Sequence, residues 1–155
     1  MMNKFLLIIL LTSLNLMAQN KKNYFIHFTS DPMENPSAAI MSINAASEAL
    51  KQGHIVTYFA AGDGVRILLK DVIKNLHTVT PHGGGFGKIS QMAENLLLEF
   101  SNNGGIIHVS EGSFATYGIN KENHKEHLIE VSEIFWSYPK QLIQESSKAD
   151  IVFSY

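Results

Sequence analysis

The sequence predicts an α/β fold: a three-layer α/β/α domain with a mostly parallel sheet of about five strands. Three observations carry that expectation. Short aromatic and β-branched runs alternate with longer stretches whose apolar residues recur every three or four positions. Those longer stretches are crossover helices in length, not hairpin turns, and a strand that follows a crossover runs parallel to the one before it. Gly, Pro, Asn and Asp mark the boundaries between the two patterns.

The first strand is read at Tyr24 to Thr29, stopped by the turn Ser30-Asp31-Pro32. Asn35-Pro36 then has the form of an N-cap followed by proline at the first helical position, where a missing N–H costs nothing. Ile40, Ile43, Ser47 and Leu50 trace one helix face, and Gly53 stands where a positive φ is commonly needed. Ile55 to Ala60 is the second strand. Asp63 is placed to cap the next helix, in which Val65, Leu68, Leu69, Val72 and Ile73 share one stripe and Arg66, Lys70 and Lys74 face outward. Leu76 to Thr80 reads as a weaker third strand that runs into the glycine-rich stretch 81–88. The helix after it has the clearest pattern, with Ile89, Met92, Ala93, Leu96, Leu97 and Phe100 on one face and Asn102-Asn103-Gly104-Gly105 ending it. Ile106 to Ser110 is the fourth strand, Pro139 starts a last helix, and Ile151-Val152-Phe153 is the final strand. Between Asn120 and Tyr138 the pattern does not decide between helix and irregular structure.

The chain has 155 residues, of which 45% are hydrophobic and 17% charged, so it can build an ordinary core. Its net charge of −2 comes without a basic stripe, and nucleic acid is not an expected partner. Asn3-Lys4, the apolar run Phe5 to Leu11 and the small residues before Gln19 have the order of a secretory signal peptide cleaved after Ala18. The apolar run is shorter than the roughly 20 residues a membrane-spanning helix needs. No cysteine follows it to take a lipid. The expectation is a signal peptide at 1–18 and one domain at 19–155, secreted or periplasmic, without disulfides and free of the membrane after cleavage.

Several short patterns invite chemistry, and each also has a plainer role. The glycines of 83–87 suggest a phosphate loop, but His82 stands where a Walker motif needs Gly and Ile89 where it needs Ser or Thr. A loop is the simpler reading. His108-Val109-Ser110-Glu111-Gly112 approaches the nucleophile elbow G-x-S-x-G with His in place of the first Gly. His124 and His127 have metal-ligand spacing on a helix, yet the interleaved Lys121, Glu122, Lys125 and Glu126 fit a solvated face better. His27 and His108 alternate with apolar neighbours and read as core or pocket-wall residues. Phe135, Trp136 and Tyr138 read as a core or subunit-contact cluster. Thr29-Ser30-Asp31-Pro32 lacks the pattern of a flavin phosphate loop, so no cofactor is expected.

The order of elements resembles the DsrE/DsrF-like sulfur-transfer family over nearly all of the chain after residue 18. The resemblance rests on the first strand leading into an Ala- and Ser-rich helix, on Gly53-His54-Ile55-Val56 followed by Asp63-Gly64-Val65, on Gly118-Ile119 after the fourth strand, and on the closing Ser147-Lys148-Ala149-Asp150-Ile151-Val152-Phe153. It implies a parallel sheet and assembly as a homotrimer or homohexamer. It also implies a sulfur-carrying cysteine at the end of the fourth strand, with a second three residues later in some members. Those positions fall on Ser110 and Ser113, and the chain contains no cysteine at all. Persulfide chemistry needs a polarisable sulfur that ionises near neutral pH, which a serine hydroxyl does not supply.

The reading that follows is a binding or accessory protein rather than an enzyme. Its site would lie at the carboxyl ends of the strands, lined by Thr29, Asp31, Asp63, His82, Ser110, Glu111 and Ser113, and would take a small anion or sulfur compound. One alternative is a structural subunit of a hetero-oligomer with a cysteine-bearing paralogue. Another is a hydrolase using Ser110 as nucleophile, which requires a histidine within hydrogen-bond reach.

Overall fold

The computed structural model describes residues 21–77 and 88–155. The expected signal peptide, His82 and the glycine-rich stretch up to Gly87 lie outside the described residues. Five strands, β1 (Asn23–Phe28), β2 (Ile55–Ala60), β3 (Ile106–Ser110), β4 (Phe135–Ser137) and β5 (Ile151–Ser154), form one sheet in the order β4-β3-β2-β1-β5. Every pairing is parallel. The helices are α1 (Pro36–Lys51), a 3-10 helix (Gly62–Leu68), α2 (Lys70–Ile73), α3 (Lys88–Asn102), α4 (Glu111–Ala115), α5 (His124–His127) and α6 (Pro139–Ser147).

That strand order distributes the helices unequally. From β1 to β4 each step moves toward the same edge, so right-handed crossovers place α1, α3 and the segment before β4 on one face. The last connection returns from β4 across the whole sheet to β5, which puts α6 alone on the other face. The first face holds the main core: Ile26, Phe28, Val56, Tyr58, Ile107 and Val109 from the strands pack against Ile43, Ala46, Ala93, Leu97 and Phe100 from α1 and α3. Within it Tyr58 Oη and Ser42 Oγ lie 2.9 Å apart, so the hydroxyls brought inside by a strand and a helix satisfy each other.

α1 begins as its sequence dictates. The Asn35 side chain accepts from Ala38 N at 3.1 Å with Pro36 next, and Gly53 takes φ +84 just after the helix. Its buried stripe is shifted from the expected one, however. The expected Ile43 and Ser47 are buried together with Ala39, Ser42, Ala46 and Ala49, whereas Ile40 and Leu50 are half-buried, because small side chains let the helix lie close on the sheet. In α3 the expected Ala93, Leu97 and Phe100 are buried, but Met92 is exposed.

Two further expectations change. The helix anticipated after Asp63 is a 3-10 turn and a short α-helix separated at Leu69, whose φ −72 and ψ 128 are extended. The cause is non-local: Ile129 N donates to Leu68 O at 3.0 Å and Leu128 bridges to Leu69, so this backbone pairs across the chain instead of continuing the helix. Nor does Asp63 cap it, because the N-cap is Ala61 without a side-chain bond. Leu76 and His77 belong to no strand, and the rest of the anticipated strand there, Thr78 to Thr80, is outside the described residues. The fifth strand of the described sheet is instead β4, within the stretch 120–138 whose pattern does not decide between helix and irregular structure.

Candidate functional site

The carboxyl ends of β1, β2 and β3 meet at one rim of the sheet, and backbone hydrogen bonds lock them together. Gly64 N donates to Thr29 O at 3.1 Å and Ala61 N to Phe28 O at 3.0 Å. A Cβ on Gly64 would lie 2.4 Å from Phe28 O, so only glycine lets the turn after β2 approach β1 this closely. Thr29 itself is tied to the chain end: its N–H donates to Tyr155 O at 3.0 Å, and its hydroxyl to the same oxygen at 3.3 Å.

The two serines at the end of β3 are both engaged by backbone. Ser110 caps α4, its Oγ accepting from Ser113 N at 3.3 Å, while Ser113 Oγ accepts from Gly62 N at 2.9 Å. The second bond joins the turn after β3 to the turn after β2. An oxygen at these positions therefore closes two turns, each hydroxyl keeping a hydrogen to donate. Among the described residues no histidine hydrogen-bonds Ser110. His108, which precedes it on the same face of β3, instead bonds Ser137 through Nδ1 at 2.8 Å.

Around this seam lies a charged belt. Arg66 pairs with Asp31, which also accepts from Met33 N at 2.8 Å. The Arg66 guanidinium stands 5.8 Å from the centre of the Tyr117 ring, and the Tyr117 hydroxyl donates to Asp63. That carboxylate pushes the Tyr117 hydroxyl above its ordinary pKa. Thr29, Asp31, Asp63, Ser110 and Ser113 are thus brought together. Glu111 turns to a neighbouring cluster instead: its Oε2 is shielded from solvent and meets Lys121 Nζ at 2.7 Å. Hydrogen bonds from Lys121 and Tyr138 hold Glu111 below the usual carboxylate range, and Tyr138 is pushed up in return.

Arg66 and Tyr117 are the site residues that the sequence did not single out. The sequence pattern puts Arg66 on an outward helix face; in the structure it lies in the 3-10 turn and pairs with Asp31. Tyr117 stands next to Gly118, whose φ of +70 ends the α4 turn. That glycine was the available signal.

Behind the seam, on the face crossed by α6, runs a band of rings. Phe25 and Phe59 lie 5.8 Å apart, Phe59 stacks on His108 at 5.6 Å, and His108 stacks on Phe135 at 5.1 Å. Burial lowers the pKa of His108 and of His27, whose Nε2 is shielded and has no hydrogen-bond partner among the described residues. His124, anticipated on a solvated face, is half-buried with its ring edge-on to Trp136 at 5.5 Å.

Comparison with known proteins follows the same outline. The family model described as "DsrE/DsrF-like family" matches residues 22–155. The ychN protein from E. coli has a similar structure, with a TM-score of 0.56 and 15% identity over 87% of this chain and 99% of its own. A conserved protein of unknown function from Bacteroides thetaiotaomicron, BT1422, aligns with a TM-score of 0.53 and 14% identity over 90% of this chain and 98% of its own. At such identities the likeness is one of fold. No curated protein matches the chain.

Proposed function

The chain belongs to the DsrE/DsrF-like family, and from that premise we propose that it is a secreted or periplasmic accessory protein of sulfur metabolism that binds a small anion or sulfur compound without carrying sulfur covalently. Membership supports the connection to sulfur metabolism. One observation supports the absence of a covalent relay: at the end of β3, where the resemblance places the sulfur-bearing thiols, Ser110 and Ser113 spend their oxygens on backbone N–H groups. A relay through this chain's own side chains has no thiol to run on.

The binding surface is the rim formed by Thr29, Asp31, Asp63, Ser110 and Ser113, with Glu111 beside it. Arg66 supplies a cation at this rim. Its guanidinium donates to Asp31 and has further donors to offer an oxyanion. Titration with thiosulfate and sulfite, followed by ligand-detected NMR, tests this. Binding that weakens in Arg66→Gln supports the reading, and no binding of either compound sinks it.

The protein works as an oligomer, a trimer or hexamer of its own copies or a mixed assembly with a cysteine-bearing paralogue. Supporting this, Phe135, Tyr138, Ile143 and Val152 are large apolar residues left exposed on or beside the face that α6 covers. Native mass spectrometry of the purified protein gives the subunit count, and a monomer at working concentration contradicts self-assembly. Export is read out by the N-terminus of the protein recovered from the periplasm or medium, which should begin at Gln19.

A further inference from the structure

The two edges of the sheet are built differently. β4 runs for three residues and is followed at once by Pro139, which starts α6. β5 reads Ile151-Val152-Phe153-Ser154, with no charge, proline or glycine to discourage pairing along its free side. Among the described strands only β1 pairs with it, and Val152, Phe153 and Ser154 are exposed.

The hydrogen bonds to β1 fix what that free side offers. Tyr155 N donates to His27 O at 2.9 Å and Tyr155 O accepts from Thr29 N at 3.0 Å, so this residue turns both backbone groups inward. The direction alternates along a strand. Ile151 and Phe153 therefore also face β1, whereas the N–H and C=O of Val152 and Ser154 point away from the sheet. Outward groups on every second residue suit an antiparallel neighbour, and this segment is its own complement. Turned about a two-fold axis through Phe153, Val152 of one copy lies opposite the partner's Ser154 and exchanges two hydrogen bonds with it. The axis repeats that exchange, so every outward group of both copies is satisfied.

The side chains agree with this register. Phe153 lies on the α1 face, its ring 6.2 Å from that of Tyr24 and 6.5 Å from that of Tyr155. Across the axis it meets the partner's Phe153 at a non-hydrogen-bonded position, where Cα atoms are about 4.5 Å apart and side chains are closest. Tyr155 lies opposite the partner's Ile151. Lys148 and Asp150 fall outside the paired stretch, so no like charges oppose each other.

We infer that β5 pairs antiparallel with β5 of a second copy, joining two five-stranded sheets into one of ten strands. This rests on the reading that the protein self-assembles, and it names one contact of that assembly.

The test is amide hydrogen exchange on the purified protein at low and high concentration. In a lone chain the amides of Val152 and Ser154 face water and exchange freely; in the pair they are protected, more so as concentration rises. Ser154→Pro removes one outward N–H and leaves the bonds to β1 in place. By sedimentation equilibrium it should weaken association about tenfold, or 1.4 kcal/mol for two symmetry-related hydrogen bonds, with an unchanged circular dichroism spectrum. Val152→Lys puts a charge on the same edge and should act in the same direction. An oligomer whose Val152 and Ser154 amides exchange freely would overturn this contact and leave self-assembly standing. A monomer at every concentration would overturn both, and undiminished association of the folded variants would overturn the contact.

Discussion

The two faces of the sheet are sealed by unequal amounts of helix. Under α1 and α3 the strands present Ile26, Phe28, Val56, Ile107 and Val109 to a continuous apolar core. Under α6 they present Phe25, His27, Phe59, His108 and Phe135, and α6 buries none of its own residues fully. The difference follows from topology: successive steps toward one edge stack their crossovers on one side, and one return crossing must cover the other. It teaches that the two faces carry different loads, the first holding the main core and the second left with large apolar side chains exposed.

The largest expected effect tests the sealed face. Leu97→Ala, at a fully buried position of α3, should cost about 2–5 kcal/mol in urea unfolding. Ile143→Ala on the outer side of α6, 67% exposed, should cost no more than about 0.5 kcal/mol if no partner covers it. A larger loss that shrinks on dilution, as the parent itself dissociates, would show the exposed face to be covered by another copy. Next in size is Gly64→Ala, whose new methyl meets the Phe28 carbonyl and should cost about 1–3 kcal/mol.

Smaller again are the serines. Ser110→Ala removes the α4 cap and should cost about 0.5–2 kcal/mol. Ser113→Ala strips Gly62 N of its acceptor at an exposed turn and should cost about 0.5–1.5 kcal/mol. If both are neutral, the seam does not depend on oxygen. The mildest perturbation is pH. Burial holds His27 and His108 below their ordinary pKa, so the unfolded chain takes up protons first as pH falls. Stability should therefore decline as pH falls through the ordinary histidine range around 6.5 and level off once the folded histidines protonate. Glu145 on α6 opposes this at His108 and Lys148 reinforces it. Urea midpoints of the parent and of His108→Phe measured across that range should diverge, with the parent falling more steeply.

Much of the fold was legible because its signals are local. Asn35-Pro36 and Gly53 bracket α1, periodicity marks α3, and the β-branched runs of β2 and β3 fall where the pattern places them. What escaped depends on distant partners. Three residues, Phe135 to Ser137, carry too little alternation to announce a strand, and they form one because His108 and Val109 offer an edge. The break at Leu69 comes from Leu128, far along the chain. At the site, Ser110 and Ser113 were legible from the missing thiols. The Arg66–Tyr117–Asp63 arrangement was not, since it depends on the 3-10 turn that replaced the expected helix.

The most direct test asks whether this protein can hold sulfur at all. The purified protein and Ser110→Cys are incubated side by side with inorganic polysulfide and their intact masses compared. The account predicts no covalent sulfur on the parent chain and added sulfur on the cysteine variant. A sulfur adduct on the cysteine-free protein, passed on to a thiol acceptor at a catalysed rate, would contradict it.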